Sequence, residues 1–283
     1  MKKAVAIIIF IALLAAASPC PVTGAPAVYD YPHYIKDNAQ RYIGYRAENP
    51  MMPYDMVIAY VNANVDIGFY KGITITNNYE SVKALVNKNF ALPDYYAPDD
   101  LVSISGGYML RAEAAEWFGK LKADMESLGF TVVVRSGYRS YHTQKYMHSN
   151  GVQNFGLDSA DRQYARAGHS EHQTGLAVDI VSVRSGGYMT SARFETTREY
   201  EWMLNNAYKY GFILRYPDGD YKKIHGYIYE PWHWRYIGVE AATKMYDDGM
   251  VMLEEYYGRY LAPGVDAAPG NGRAISPRGA ELS

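Results

Sequence analysis

At 283 residues, 48% apolar and 20% charged, the chain is long enough for one large or two small hydrophobic cores. It is neither a disordered polyelectrolyte nor a membrane bundle, and a formal charge of −2 offers no basic face to nucleic acid. A single cysteine excludes a disulfide framework and Cys-rich zinc or iron–sulfur sites, so any metal must be held by histidine and carboxylate.

Residues 1–24 read as an export signal. Lys2 and Lys3 precede an apolar run at 4–17, which is short of the ~20 residues that span a bilayer. Pro19 and Pro21 break that run, and small residues lead to a cut ahead of Ala25. The alternatives are an uncleaved anchor or a lipid on Cys20; Pro19 is a poor neighbour for the latter. Cleavage removes Cys20, leaving a mature chain without a thiol. Residues 25–78 are aromatic, polar and weakly periodic, which reads as short strands and loops of unassigned role. A helix is expected to begin near Asn78 on the strength of Val82, Leu85 and Val86, and Pro93 and Pro98 mark a loop.

The pattern sharpens after residue 110. Leu110, Ala114, Ala115, Phe118, Leu121, Met125 and Leu128 recur at helical spacing and stop at Gly129. Residues 130–134 and 176–181 read as β-branched strands, 198–210 as a helix ended by Gly211, and 212–215 and 234–237 as short strands. Val239–Asp247 closes the series as a helix, and residues from 259 on form a flexible Ala/Pro/Gly-rich tail. Strands and helices mix without a βαβ rhythm, which predicts an α+β fold: a small antiparallel sheet flanked by helices.

Two clusters carry chemistry. In Ser170-Glu171-His172-Gln173-Thr174-Gly175-Leu176-Ala177-Val178-Asp179, a carboxylate sits inside an apolar strand, seven positions after an imidazole. Burying an unpaired carboxylate is costly, so Asp179 calls for a cation or an arginine beside it; the plain alternative is an edge strand facing solvent. In Glu230-Pro231-Trp232-His233-Trp234, proline enforces a bend that can aim Glu230 and His233 into one pocket, against the alternative of a Trp-anchored core strand. Together His172, Asp179 and His233 give three N/O ligands and leave a fourth position open, as in catalytic rather than structural zinc sites. The remaining histidines, His33, His142, His148, His169 and His225, read as loop or structural residues, with His169 at most a neighbour of the site.

Ser-x-His-x-x-Gly-x-Ala-x-Asp at 170–179 and Glu-x-Trp-His at 230–233 resemble the LAS-type zinc peptidases, and most of all the VanY-type D-alanyl-D-alanine carboxypeptidases. The resemblance extends over residues 79–258 and includes residues 85–88, 98–102 and Ser136-Gly137-Tyr138-Arg139-Ser140. It implies one Zn2+ held by His172, Asp179 and His233 at the sheet, with Glu230 as catalytic base. It also implies that Arg139 faces the scissile carbonyl or the terminal carboxylate, and that Gln144 and Ser170 hold that carboxylate. Trp232 and Trp234 are expected as pocket walls.

The implied activity is an exported zinc D,D-carboxypeptidase that trims the terminal D-Ala from peptidoglycan stem peptides at the outer face of the membrane or beyond. An L,D-carboxypeptidase or cross-link endopeptidase would share the same zinc site. A dipeptidase on free D-Ala-D-Ala fits an exported protein less well, and an intact Glu230 argues against a non-catalytic wall-binding module. The stem peptide is the expected partner; no nucleic acid and no obligate protein partner are called for.

Overall fold

The computed structural model describes residues 31–185, 190 and 192–265. The segment read as an export signal and residues 266–283 lie outside this range. Helices α1 (Ala39–Glu48) and α2 (Tyr54–Asn62) come first, followed by the short pairs β1 (Thr74–Ile75) with β2 (Phe90–Ala91) and β3 (Leu101–Ser103) with β4 (Met109–Arg111). Then come α3 (Ala112–Ser127), β5 (Val132–Ser136), α4 (Tyr141–Phe155), α5 (Leu157–Gln163) and β6 (Ala177–Ser182). The chain continues with α6 (Arg198–Asn206), β7 (Phe212–Leu214), α7 (Lys222–His225), β8 (His233–Tyr236), α8 (Val239–Asp247) and α9 (Leu253–Tyr260). Among the described residues no helix is long and apolar enough to cross a membrane.

The organising sheet has the order β5-β6-β8-β7, every pair antiparallel, which bears out the α+β expectation. Strand alternation divides its residues between two faces. Val132, Val134, Val178, Ile180, Phe212, Trp234 and Tyr236 point to one side. There they meet Ala114, Phe118, Leu121 and Met125 of α3, whose spacing keeps them on one helical stripe, and Tyr200 and Met203 of α6. The opposite face carries Asp179, His233 and Arg235. Beside them Ile213 joins a second core built on α8 and α9, where Ala262 and Val265 also pack. Between Val134 and Ser136 the β5–β6 register slips by one residue: Val134 pairs with Ile180 but Ser136 with Asp179, leaving Arg135 as a bulge.

Two sequence expectations are corrected. Within 25–78 the described part holds two helices, α1 and α2, besides turns and the short strand β1, where only strands and loops were expected. Residues 57–62 of α2 are all buried, so the helix is apolar on every side and lacks the period that betrays an amphipathic one. It packs on α9 so closely that a Cβ on Gly258 would lie 1.8 Å from the Ala59 carbonyl oxygen. The helix expected from Asn78 is instead a run of turns. Asn78 has a left-handed φ of 49°, and the Val82 and Ala84 carbonyls accept from the Arg235 guanidinium. The helix α4 went unread because its buried side is thin, consisting of Gln144 and Gly151. Ser140 caps it by accepting from the Thr143 amide.

Candidate active site

The β6–β8 register sets Asp179 opposite His233. His172 arrives from the single 3-10 turn Glu171–Thr174, which Gly175 ends at a φ of 67° before β6 begins. A side chain there would be strained by the left-handed φ, and its Cβ would crowd the Leu101 and Arg111 side chains at 2.9 and 3.0 Å. Asp179 Oδ2 lies 3.3 Å from His172 Nε2, and Asp179 Oδ1 lies 3.2 Å from His233 Nδ1. The three candidate ligand atoms fall within 4.8 Å of one another, and all three residues are buried.

Contacts on the far side of each ring set its orientation. His172 Nδ1 donates to the Gly137 carbonyl at 2.7 Å, which leaves its Nε2 lone pair facing Asp179. His233 Nε2 faces Glu171 Oε2 at 3.3 Å, which turns its Nδ1 toward Asp179. His172 Nε2 and Asp179 Oδ1 are buried and have no hydrogen-bond partner. Unpaired acceptors that converge in a buried space are costly unless a cation satisfies them, and an N/N/O set suits zinc.

Glu230 stands beside this cluster, its Oε2 3.8 Å from His233 Nδ1. The bend predicted at Pro231 is present: the His233 amide donates back to the Glu230 carbonyl at 3.1 Å. Burial, aided by the negative charge of Asp179, pushes Glu230 up to about 7 against the pull of His233 and Arg139. Burial and the Arg139 charge lower His172 to about 4. Burial opposes charge on His233 as well, but contacts with Asp179 and Glu171 outweigh it and raise the ring to about 9. Burial works against ionised Asp179 too, yet the two imidazoles hold it well below the usual carboxylate range.

Arg139 and Gln144 reach the same cleft together with Ser170, His172, Glu230 and His233. Gln144 Oε1 accepts from Arg139 Nη1 at 3.0 Å while its Nε2 donates to the Ala165 carbonyl at 2.7 Å. Both ends of the amide are thus engaged. The aromatic walls are Tyr164, Tyr216 and Tyr227. Trp234 is not a wall, contrary to expectation: because His233 faces the site, strand alternation sends Trp234 into the core on the other side. Trp232 is half-buried next to His233 and is not among the residues lining the cleft.

Of the other histidines, His169 binds the Asn87 carbonyl, His225 the Pro217 carbonyl and His148 the Asp161 carboxylate, so each has a structural partner. Sequence reasoning passed over Glu171, Arg215 and Arg235, which lie buried behind His233. The signal was available: both arginines interrupt apolar strand sequences, as Asp179 does.

The family described as VanY, D-alanyl-D-alanine carboxypeptidase, matches residues 107–239. Over 202 residues the chain is 42% identical to a protein named "Putative carboxypeptidase YodJ" from Bacillus subtilis (strain 168), covering 68% of this chain and 72% of that one. Among solved structures it is similar to the LdcB LD-carboxypeptidase, with a TM-score of 0.61 and 41% identity over 67% of this chain and 91% of the other. It is also similar to a mutant of the vancomycin-resistance D,D-pentapeptidase VanY in complex with Zn(II). There the TM-score is 0.53 and the identity 34%, over 62% of this chain and 98% of that one.

Proposed function

The chain belongs to the VanY family of zinc-dependent D-alanyl-D-alanine carboxypeptidases, and from that premise we propose that it is an exported enzyme holding one zinc ion and removing the C-terminal D-Ala from peptidoglycan stem peptides. The observation that carries this reading is the buried His172–Asp179–His233 cluster, with two unpaired acceptors, set beside Glu230 and Arg139 in one cleft. Export is supported by Lys2, Lys3 and the apolar run at 4–17, and by a substrate that lies outside the membrane.

Each residue has a distinct task. His172, Asp179 and His233 hold the metal. When bound, zinc supplies a Lewis acid that acidifies water near neutral pH and polarises a carbonyl. Glu230, its carboxyl held near neutrality by burial, accepts the proton of the attacking water and returns it to the leaving amine. Arg139, aimed by Gln144, offers its planar guanidinium to the terminal carboxylate or the developing oxyanion, and Ser170 adds a hydroxyl. Tyr216 and Tyr227 keep bulk water from the reacting atoms.

The family description favours D,D-specificity, which we take as the leading reading. L,D-specificity is the second reading, favoured by the higher identity and TM-score to the LdcB LD-carboxypeptidase. Both reactions release D-Ala with the same terminal carboxylate, so Arg139, Gln144 and Ser170 serve either. Incubation of the zinc-loaded protein with pentapeptide and tetrapeptide muropeptides separates them. D-Ala released from the pentapeptide alone supports D,D-cleavage, and release from the tetrapeptide alone replaces it with L,D-cleavage. No release from either, with zinc fully bound, overturns the carboxypeptidase reading.

A further inference from the structure

We infer that Glu171 is a positioning residue for His233, selecting which ring nitrogen faces the metal site, and that α9 takes part through Glu254. This deepens the zinc reading above and rests on it. Glu171 Oε2 is 3.3 Å from His233 Nε2, and both side chains are buried. An ionised carboxylate can only accept, so Glu171 calls for a proton on Nε2, and when a metal sits between Nδ1 and Asp179 it is Nδ1 that is left to give its lone pair. Without Glu171 the neutral ring is free to take the other tautomer, which would present an N–H to the metal.

The surroundings of Glu171 suit this role. Its Oε1 accepts from Arg215 Nε and from Arg235 Nη1, each at 2.8 Å, which leaves Oε2 for the imidazole. Arg215 also clamps Glu254 with two bonds, of 3.0 and 2.7 Å. The four side chains have no exposed side-chain surface, and their two carboxylates and two guanidinia balance in charge. Arg235 is fixed in turn by the Val82 and Ala84 carbonyls, and Glu254 by the Asn87 amide. The orientation of His233 is therefore tied to α9 and to the turns at 82–87, both outside the 107–239 span that defines the family. A buried ion network could serve stability alone, and the test must separate the two roles.

The experiment compares full-length wild type, Glu171→Gln and Glu254→Gln. Zinc affinity is measured by chelator competition, melting temperature without metal, and the visible spectrum of the cobalt-substituted protein. Glu171→Gln is expected to weaken zinc binding by about 10–100-fold and to shift the cobalt bands. Glu254→Gln, remote from the ring, is expected to lower the melting temperature with a smaller change in affinity. If Glu171→Gln keeps wild-type affinity and cobalt bands, or if both variants lose affinity only in step with melting temperature, the inference is overturned. Should Glu171→Gln fail to fold, nitrogen NMR of wild-type zinc protein decides: a proton on His233 Nε2 supports the inference, and zinc on Nε2 refutes it. A wild type that binds no zinc overturns the zinc reading and this inference with it, and needs no variant to detect.

Discussion

Asp179 and His233 are register partners on neighbouring strands, with facing atoms 3.2 Å apart. Two of the three candidate ligands are thus set by the hydrogen-bonded ladder of β6 and β8, while the third, His172, depends on a turn and on the Gly137 carbonyl. Removing His172 leaves a two-ligand site that cannot hold zinc. Metal analysis of purified His172→Ala should find close to no zinc, against about one per chain in wild type.

Glu230 separates metal binding from turnover. Glu230→Gln keeps the three ligands but loses the proton acceptor, so zinc content should stay at the wild-type level. D-Ala release should fall by about 10²–10⁴-fold in a steady-state assay. Retained activity would remove Glu230 from its assigned role.

The same carboxyl links pH to stability in metal-free protein. Its folded value of about 7 lies above the unfolded 4.5, so between these values the native state binds more protons than the unfolded one. Its contribution is therefore complete below pH 4.5 and is lost as pH rises through 7. Glu230→Gln lacks this titration. After chelation it should be more stable than wild type at pH 8, by at most about 3 kcal/mol, with the gap closing toward pH 4.5. Denaturant melts at the two pH values check this, and an unchanged gap would show that Glu230 ionises normally.

Arg139 is held in one orientation by Gln144, and its value lies in a planar fork rather than in charge alone. Arg139→Lys keeps the charge and loses the fork. It should reduce kcat/KM for D-Ala release by about 10²-fold with zinc content unchanged, as expected for loss of an oxyanion or carboxylate donor.

Gly258 tests whether α2 belongs to the same packed body as the site. Gly258→Ala drives a methyl into the Ala59 carbonyl, where the gap is 1.8 Å, so two helices must part. A loss of about 1–3 kcal/mol or more is expected, read as a drop of several degrees in melting temperature.

The candidate metal site was legible in the sequence because its chemistry forces residues into improbable places: a carboxylate in an apolar strand, a histidine and a glutamate around a proline. The sheet and α3 were legible because each buries one face and so prints a period of two or of 3.6. Where a helix buries every side, as α2 does, or hardly any, as α4 does, the period vanishes. Glu171 was missed for a different reason. Its partners Arg215 and Arg235 lie 44 and 64 positions further along the chain, and only the fold brings them together. The tyrosine walls were missed because the neighbouring tryptophans made the stronger local signal.

The bulge at Arg135 fixes the amount of chain between the sheet and the cleft. Ser136 is in register with Asp179, Gly137 receives the His172 proton, and Arg139 enters the cleft, all within four residues of the slip. Deleting one residue there exchanges the two sides of the segment and takes the Gly137 carbonyl away from its imidazole, although every side chain named in the motifs remains. Surface loops elsewhere can lengthen or shorten at small entropic cost. Between 134 and 139 the chain should therefore accept neither insertion nor deletion.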